Sequence, residues 1–194
     1  MHQREKVKFL QQQGFSQVVL ARELSLDEIK DIHSNCDVPL EVFVHGALCM
    51  SVSGQCYLSA LIGSRSANRG RCAQACRLPF SACGKDGVCS LSLKDLSLVE
   101  HMNELIEDGV TSLKIEGRNK TVEYTAGTVA NYRRTIDNAF KVEDAQKLEL
   151  LQLFNRSGQS DGYLKGIRYK QSISEITPKN TGLFLGKVLD KKQE

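Results

Sequence analysis

The stretch LEVFVHG, residues 40–46, predicts a short buried strand that leads into two strand-end residues, His45 and Gly46. Similar apolar runs occur at residues 17–20 (QVVL), 88–93 (VCSLSL) and 112–115 (SLKI). Each of these three is followed by polar residues and then by a segment with helical spacing of its apolar residues. Because strands that alternate with helices favour a parallel sheet, the sequence predicts an α/β fold.

Sequence patterns also mark where the helices begin. Ser25 with Glu28 forms a capping box before LDEIKDI, and Ser97 with Glu100 is predicted to cap LVEHMNELIED in the same way. The helix that follows the last strand is predicted to bury five apolar residues at helical spacing: Val122, Ala126, Val129, Ile136 and Phe140.

The repeated unit is typical of a (β/α) barrel, in which polar strand ends surround one active site. A complete barrel of this TIM type takes roughly 250 residues. We therefore predict the C-terminal half of a barrel over residues 1–142, with a cysteine-rich insert at 47–87. A helix and connector (143–180) and the first strand of a truncated β domain (181–194) are predicted to follow. We expect the first half of the barrel to be missing from this sequence or to be supplied by a second chain. A doubly wound sheet is the alternative fold.

The predicted insert contains four cysteines with the spacing C-x6-C-x15-C-x3-C: Cys49, Cys56, Cys72 and Cys76. Four thiolates can hold an iron–sulfur cluster or a zinc ion. Zinc ribbons usually present two C-x2-C pairs, which this chain lacks, so the spacing favours a cluster and leaves zinc as the alternative. A set of buried free thiols is the simpler interpretation. Cys36, Cys83 and Cys89 look secondary.

Positive charge is concentrated in the same insert. No Asp or Glu lies between Glu41 and Asp86, whereas several cations do, and the net charge of the whole chain is only +3. A flexible basic loop can follow the phosphates of a nucleic acid, although a merely solubilising loop is equally compatible. We predict that four arginines bind RNA: Arg65, Arg69, Arg71 and Arg77.

Polar residues at the strand ends are the candidates for chemistry. A histidine, carboxylates and cations around one pocket could transfer protons or bind an anionic molecule. Glu23 and Asp95 each lie just before a helix start and are expected to be structural. The residues that we predict to be catalytic are Glu41, His45, Lys94, Glu116 and Arg118. Neither GxSxG nor HExxH occurs, and Cys49 near His45 is the only local candidate for a nucleophile with a base.

Nothing in the sequence indicates a membrane or an exported protein. No run approaches the roughly 20 apolar residues of a membrane span, and MHQREKVKFLQQQG lacks the apolar centre of a signal peptide. We expect a cytoplasmic protein, in which metal binding is a more natural use of cysteines than disulfides.

At residues 41–59, EVFVHGALCMSVSGQCYLS, the chain resembles the collagenase-like peptidase family, peptidase family U32. The resemblance continues through GSRSANRGRCAQACRLPF, SLSLKDLS, SLKIEGR and SDGYL. It implies a barrel, followed in longer members by a small β domain. It also implies hydroxylation of bases in ribosomal or transfer RNA, with prephenate as a co-substrate in some members, and a 4Fe–4S cluster.

Position by position, Cys49, Cys56, Cys72 and Cys76 match the cysteines that bind the cluster in this family, and CAQACR resembles its ribosomal-RNA branch most. Cys83 and Cys89 are not part of that pattern. Collagenase activity is assigned to a few members, but no hydrolytic motif carries over to this chain. Three hypotheses follow: an iron–sulfur RNA hydroxylation protein, a collagenase-like peptidase, or an inactive fragment that needs the rest of its parent chain.

Overall fold

The computed structural model describes residues 3–82, 84–118, 120–166, 172–174 and 177–187. The helices are α1 (Arg4–Gln12), α2 (Leu26–Asn35), α3 (Leu58–Gly63), α4 (Met102–Glu107), α5 (Val122–Asp137) and α6 (Asp144–Leu153). The strands are β1 (Val18–Val19), β2 (Leu40–Gly46), β3 (Phe80–Ala82), β4 (Lys85–Val88), β5 (Asp95–Ser97), β6 (Val110–Ile115) and β7 (Gln159–Ser160). Short 3-10 turns occupy Ala67–Arg69, Ala75–Arg77 and Val99–His101.

The main sheet is organised around β2. Strands β1 and β6 both run parallel to β2, with Val18 opposite Leu40 and Leu113 opposite Val42. Strand β5 pairs antiparallel with the end of β2, where His45 lies opposite Ser97, and β7 runs parallel to β5. The α/β class is therefore confirmed. The strands of the described ranges do not close into a barrel.

The core lies on one face of this sheet. Leu40, Val42 and Val44 are all buried, because alternate residues of a strand point to the same face. They belong to one apolar cluster with residues from the flanking helices, such as Ile29 and Leu105. Helix α2 begins as predicted: the Ser25 hydroxyl accepts a hydrogen bond from the Glu28 amide at 3.3 Å, and the Glu28 carboxylate accepts one from the Ser25 amide at 2.7 Å. Helix α1, which was not predicted, buries Val7 in the same core.

The predicted strand at residues 88–93 is wrong. Val88 ends β4, which forms a separate antiparallel hairpin with β3, and the strand of the main sheet starts only at Asp95. Gly84, with a φ of 75°, adopts a left-handed backbone that favours glycine and lies in the turn that joins β3 to β4. Ser97 lies within β5 and caps nothing, since the following 3-10 turn starts after Leu98 without a side-chain cap.

The predicted buried face of α5 is wrong for Val122, Ala126 and Val129, which are exposed, whereas Ile136 and Phe140 are partly buried against the core. Val122 and Val129 are 79% and 49% exposed. The helix instead buries a mostly polar face: Tyr124, Thr128, Asn131, Tyr132 and Thr135. This face is tolerated because hydrogen bonds satisfy many of its groups. The Gln146 amide of α6, for example, donates to the Thr135 hydroxyl at 2.8 Å.

The predicted final strand is not seen in its described part. Residues 181–187 form no strand, and Phe184 and Leu185 are exposed because no neighbouring strand pairs with them. Residues 188–194 lie outside the described residues. None of the helices in the described ranges has the length and apolar character that crossing a bilayer requires.

Candidate functional site

The loop that follows β2, residues 47–79, brings the four predicted cluster cysteines into one neighbourhood. Burial raises the pKa of the Cys49 thiol, and Cys76 and Cys72 raise it further. Burial likewise raises the pKa of Cys76, with contributions from Cys72 and Cys56. Thiols affect each other in this way only when they are close in space. The loop therefore gathers cysteines that are up to 27 positions apart in the sequence.

The chemistry of this donor set fits a thiolate-bound metal centre. The Gln74 amide points at the Cys72 sulfur at 3.2 Å, and hydrogen bonds to sulfur are one of the ways in which proteins tune iron–sulfur clusters. As placed, no three histidine, cysteine or acidic side chains of the described residues converge closely enough to hold a metal ion. The four cysteines thus share a neighbourhood without forming a closed coordination shell.

The other two cysteines of the described residues lie elsewhere. Cys36 is buried in the main core next to α2, and the buried Cys89 thiol lies 3.9 Å from the carbonyl oxygen of Arg77. Cys83 lies outside the described residues. Neither described thiol adds to the neighbourhood of the four loop cysteines.

Arg77 is not available to RNA, which corrects its predicted role. Its side chain is buried, and its guanidinium donates to the Leu48 carbonyl at 2.8 Å, to the Leu93 carbonyl and to the Ser92 hydroxyl at 2.9 Å. The guanidinium can be buried because its N–H groups find acceptors. These acceptors are at Leu48, just before Cys49, and at Ser92 and Leu93, just before β5. Arg77 therefore fastens the cysteine loop to the sheet.

The other three predicted RNA-binding arginines, Arg65, Arg69 and Arg71, are exposed. Within the described residues, none of the three makes an ion pair. Their charges are therefore free for an anionic partner. Arg118, which follows β6, donates to the Gly70 carbonyl at 3.2 Å and joins the strand-end region to this basic loop.

His45 lies at the end of β2 and is almost completely buried. Burial, with the nearby positive charge of Lys120, lowers the pKa of His45 to about 4. Its Nδ1 is 3.3 Å from the Tyr132 hydroxyl, which itself donates to the Val44 carbonyl at 2.7 Å. The histidine is therefore neutral near pH 7 and can exchange a proton only with a group that reaches its other ring nitrogen.

Glu116 lies beside His45 at the end of β6. Its amide donates to the His45 carbonyl at 2.9 Å, and its carboxylate forms an ion pair with Arg22, which follows β1. Gly46 allows this close approach, because a Cβ atom there would lie 2.8 Å from the Glu116 Cβ. Both Arg22 and Glu116 influence the pKa of Cys49. The strand ends therefore adjoin the cysteine loop at one candidate site.

Two predicted catalytic residues lie away from this site. Glu41 is at the start of β2, about 13 Å of extended strand from His45, and pairs with Lys114. Its carboxylate also accepts from Gln17 at 2.8 Å and from Ser112 at 3.3 Å. Lys94 lines a separate cavity of about 620 Å³ next to α6. Neither position is a strand end in the folded chain, because β2 begins at Leu40 and the predicted strand at 88–93 does not form.

Sequence reasoning missed Lys120, which joins the same site. Its ammonium lies 4.0 Å from the buried Asp95 carboxylate and 2.6 Å from the centre of the Phe154 ring. Burial lowers the pKa of Lys120 to about 8, although Asp95 acts in the opposite direction. The signal was available, since Lys120 follows the strand-end motif SLKIEGR by two positions.

Asp95, which was expected to be structural, is held by an ion pair with the buried Arg156. Burial raises the pKa of Asp95, and Arg156 partly offsets the shift. Tyr124 stands between these groups and His45, with its ring centre 5.9 Å from that of the imidazole. The region thus combines a neutral imidazole, a cationic amine and paired charges at the strand ends. Such groups can bind an anion or move a proton.

Known proteins resemble the chain over most of its length. The family model described as Peptidase family U32 matches the sequence over residues 1–174. It is 50% identical over 139 residues to the 23S rRNA 5-hydroxycytidine C2501 synthase of Escherichia coli (strain K12), covering 69% of this chain and 21% of that protein. It is 36% identical over 203 residues to tRNA hydroxylation protein P1 of Bacillus subtilis (strain 168), covering 95% of this chain and 48% of that protein.

A third relative carries a different name. The chain is 38% identical over 176 residues to a collagenase of Porphyromonas gingivalis (strain ATCC BAA-308 / W83), covering 78% of this chain and 42% of that protein. The chain thus spans between 21% and 48% of the length of these three relatives. No solved structure matches it. The match over residues 1–174 confirms the resemblance seen in the sequence, and the chain belongs to peptidase family U32.

Proposed function

We propose that the chain is part of an iron–sulfur protein that hydroxylates a base in ribosomal or transfer RNA. The observation that carries the proposal is the position of Cys49, which follows the end of β2 by three residues and whose pKa responds both to Cys72 and Cys76 and to the strand-end residues Arg22 and Glu116. A thiolate centre there would adjoin the strand-end groups. Relatives that share 50% and 36% identity are named for hydroxylation of ribosomal RNA and transfer RNA, which supports this reading.

In this proposal, Cys49, Cys56, Cys72 and Cys76 hold a 4Fe–4S cluster, with zinc as the alternative. When bound, the cluster supplies electron transfer. The exposed Arg65, Arg69 and Arg71 bind RNA phosphates, since free guanidinium groups on an acid-free loop attract a polyanion. Ribosomal and transfer RNA substrates would place the protein in the cytoplasm.

The strand-end residues have separate tasks. The neutral His45 holds or releases a proton, and Lys120 provides a cation for an anionic co-substrate such as prephenate. Glu116 is fixed by Arg22, so its carboxylate keeps its position at the end of β6. Arg118 connects these groups to the basic loop through its bond to Gly70.

We also propose that the sheet is the C-terminal half of a (β/α) barrel. The parallel alignment of β1 and β6 with β2, and the apolar cluster that this sheet shares with α2 and α4, support this, whereas the antiparallel β5 departs from it. The first half would come from other parts of the full protein or from a second chain.

A collagenase-like peptidase is the second candidate, supported by the relative named a collagenase. Peptide hydrolysis by a cysteine or serine needs that side chain to be paired with a base. Within the described residues, His45 hydrogen-bonds to Tyr132 and to no cysteine or serine. The site geometry therefore favours the RNA-directed proposal.

The test is mass spectrometry of nucleosides from ribosomal and transfer RNA of a strain that lacks the gene. We expect one hydroxylated nucleoside to disappear, to return with the wild-type gene, and to stay absent with Cys72→Ser. Cys36→Ala is the matched control, because it also removes a thiol but lies outside the loop, and it should restore the modification. An unchanged set of hydroxylated nucleosides in the deletion strain, together with cleavage of gelatin by the purified protein, would favour the peptidase instead.

A further inference from the structure

The cysteine loop exposes large apolar side chains in an unusual concentration. Tyr57 is 67% exposed, Leu61 83% and Ile62 60%, and Val52 and Leu78 of the same loop are also exposed. Tyr57 immediately precedes α3, which carries Leu61 and Ile62. A folded domain does not usually leave so many large apolar groups together in water without a partner for them.

The backbone around Tyr57 is firmly held. The amide of the preceding Cys56 donates to the Asn68 side chain at 3.2 Å, and the Tyr57 carbonyl accepts from Ala60 and Leu61, both at 3.0 Å. The Arg65 amide donates to the Ser59 carbonyl at 3.1 Å, which ties the basic segment to the same turn. The exposed ring therefore projects from a fixed framework next to the arginines. Little backbone freedom would therefore be lost when a partner packs against the ring.

The charges around the ring indicate which partner it suits. Arg65, Arg69 and Arg71 are exposed and without ion pairs in the described part of the chain, and the sequence between Glu41 and Asp86 contains no acid. A partner must therefore offer both flat apolar surfaces and negative charge. Single-stranded nucleic acid offers both, since its bases stack on aromatic rings while its phosphates bind arginine.

We propose that Tyr57 is a stacking platform for an unpaired base of RNA, with Arg65, Arg69 and Arg71 holding the phosphates on either side. The inference rests on the proposed function and adds a residue for substrate binding. Arg118, which follows β6, is bonded to Gly70, and Arg77 is bonded to the Leu93 carbonyl just before β5, so both connect this loop to the sheet. A base that stacks on Tyr57 is thus held on the same loop that adjoins His45 and Glu116.

The experiment is a binding titration of a fluorescent single-stranded RNA of about ten nucleotides with the full-length protein, purified without oxygen and followed by anisotropy. Since loss of base–aromatic stacking typically costs between a few-fold and a hundredfold in affinity, we expect Tyr57→Ala and Tyr57→Leu to weaken binding about tenfold. Tyr57→Phe retains the ring and should bind like the wild type. Phe15→Ala removes another exposed ring, which is 55% exposed and lies near α1, and should have no effect.

The variants separate failure of this inference from failure of the proposed function. If Tyr57→Leu binds like the wild type while replacement of the three arginines by glutamine abolishes binding, the stacking role is overturned and RNA binding stands. If the wild type itself does not bind RNA, both proposals fail. If the apolar patch is instead buried against a second protein in the purified full-length complex, the platform has another occupant and the inference is also overturned.

Discussion

Two regions that meet at the end of β2 are stabilised in different ways. The sheet and its helices enclose a continuous apolar cluster, in which Leu40, Val44 and Leu105 are inaccessible to solvent. The cysteine loop instead has exposed apolar side chains and left-handed backbone at Ser64 and Gln74. A core of the first kind is stable through burial alone, whereas a loop of the second kind needs specific polar contacts and bound partners.

Leu48 of the loop is buried in the apolar cluster and Met50 packs against it, and further contacts that join the two regions are polar. The buried Arg77 guanidinium bridges Leu48, Leu93 and Ser92, and a carboxylate of Glu23 accepts from the Ser53 amide at 2.5 Å. The candidate site depends on these contacts, because they hold the loop over the strand ends.

The largest effect is expected from Arg77→Met. The substitution leaves buried acceptors of Leu48, Leu93 and Ser92 without a donor, so we expect a loss of about 3 kcal/mol in the free energy of unfolding. It should also free the loop, which limited proteolysis would detect as rapid cleavage within residues 47–79. Arg71→Met, at an exposed arginine of the same loop, should change stability by less than about 0.5 kcal/mol.

A stability loss for Arg77→Met without faster cleavage of the loop would contradict the fastening role. A loss equal to that of Arg71→Met would show that the buried bonds are not made in solution.

A smaller effect is expected in the pH dependence of stability, to which the buried His45 contributes. Because burial lowers the pKa of folded His45 to about 4 from 6.5, the unfolded chain binds more protons between these two values. The contribution of His45 to the free energy of unfolding is therefore fully present above about pH 6.5 and is lost as the pH falls toward 4. Between pH 7.5 and 5 this amounts to about 2 kcal/mol.

The pH prediction is checked by urea unfolding followed by far-ultraviolet circular dichroism, which reports on the helices. His45→Gln should remove this part of the pH dependence. Equal slopes for the wild type and the variant between pH 7.5 and 5 would mean that His45 is solvated or protonated in the folded protein.

The same division between core and loop explains what could be read from the sequence. The strand at 40–44 and the capping box of α2 follow from local patterns, and both occur in the structure. The buried face of α5 could not be read in this way, because its polar residues find partners on other elements, as Gln146 does for Thr135. The prediction used apolar periodicity alone and so assigned Val122 and Val129 to the core, although both are exposed.

The site was predicted in part for similar reasons. His45 and Glu116 lie at strand ends that local patterns locate correctly, and they meet in the structure. Lys94 was misplaced because its position depended on a strand that does not form, and Arg77 was misassigned because its acceptors come from distant parts of the chain. Lys120 owes its surroundings to Asp95 and Phe154, which only the folded chain brings together.

The smallest effect concerns a part of the core away from the site. Ser25→Ala removes the hydroxyl that accepts from the Glu28 amide at the start of α2, so we expect a loss of about 1 kcal/mol in unfolding free energy. Iron content should be unchanged, since α2 is not part of the cysteine loop. A variant that loses iron together with stability would show that the core and the loop are coupled more tightly than their contacts indicate.

The most direct test of the account is the analysis of iron, sulfide and zinc in protein purified without oxygen, with Cys72→Ser and Cys76→Ser as loop variants and Cys36→Ala as the core control. We predict about four irons and four sulfides per chain in the wild type and the control, as a 4Fe–4S cluster requires, and loss of both in the loop variants. A well-folded wild type without iron, or iron that persists in both loop variants, would contradict the assignment of the cysteine loop as the cluster site.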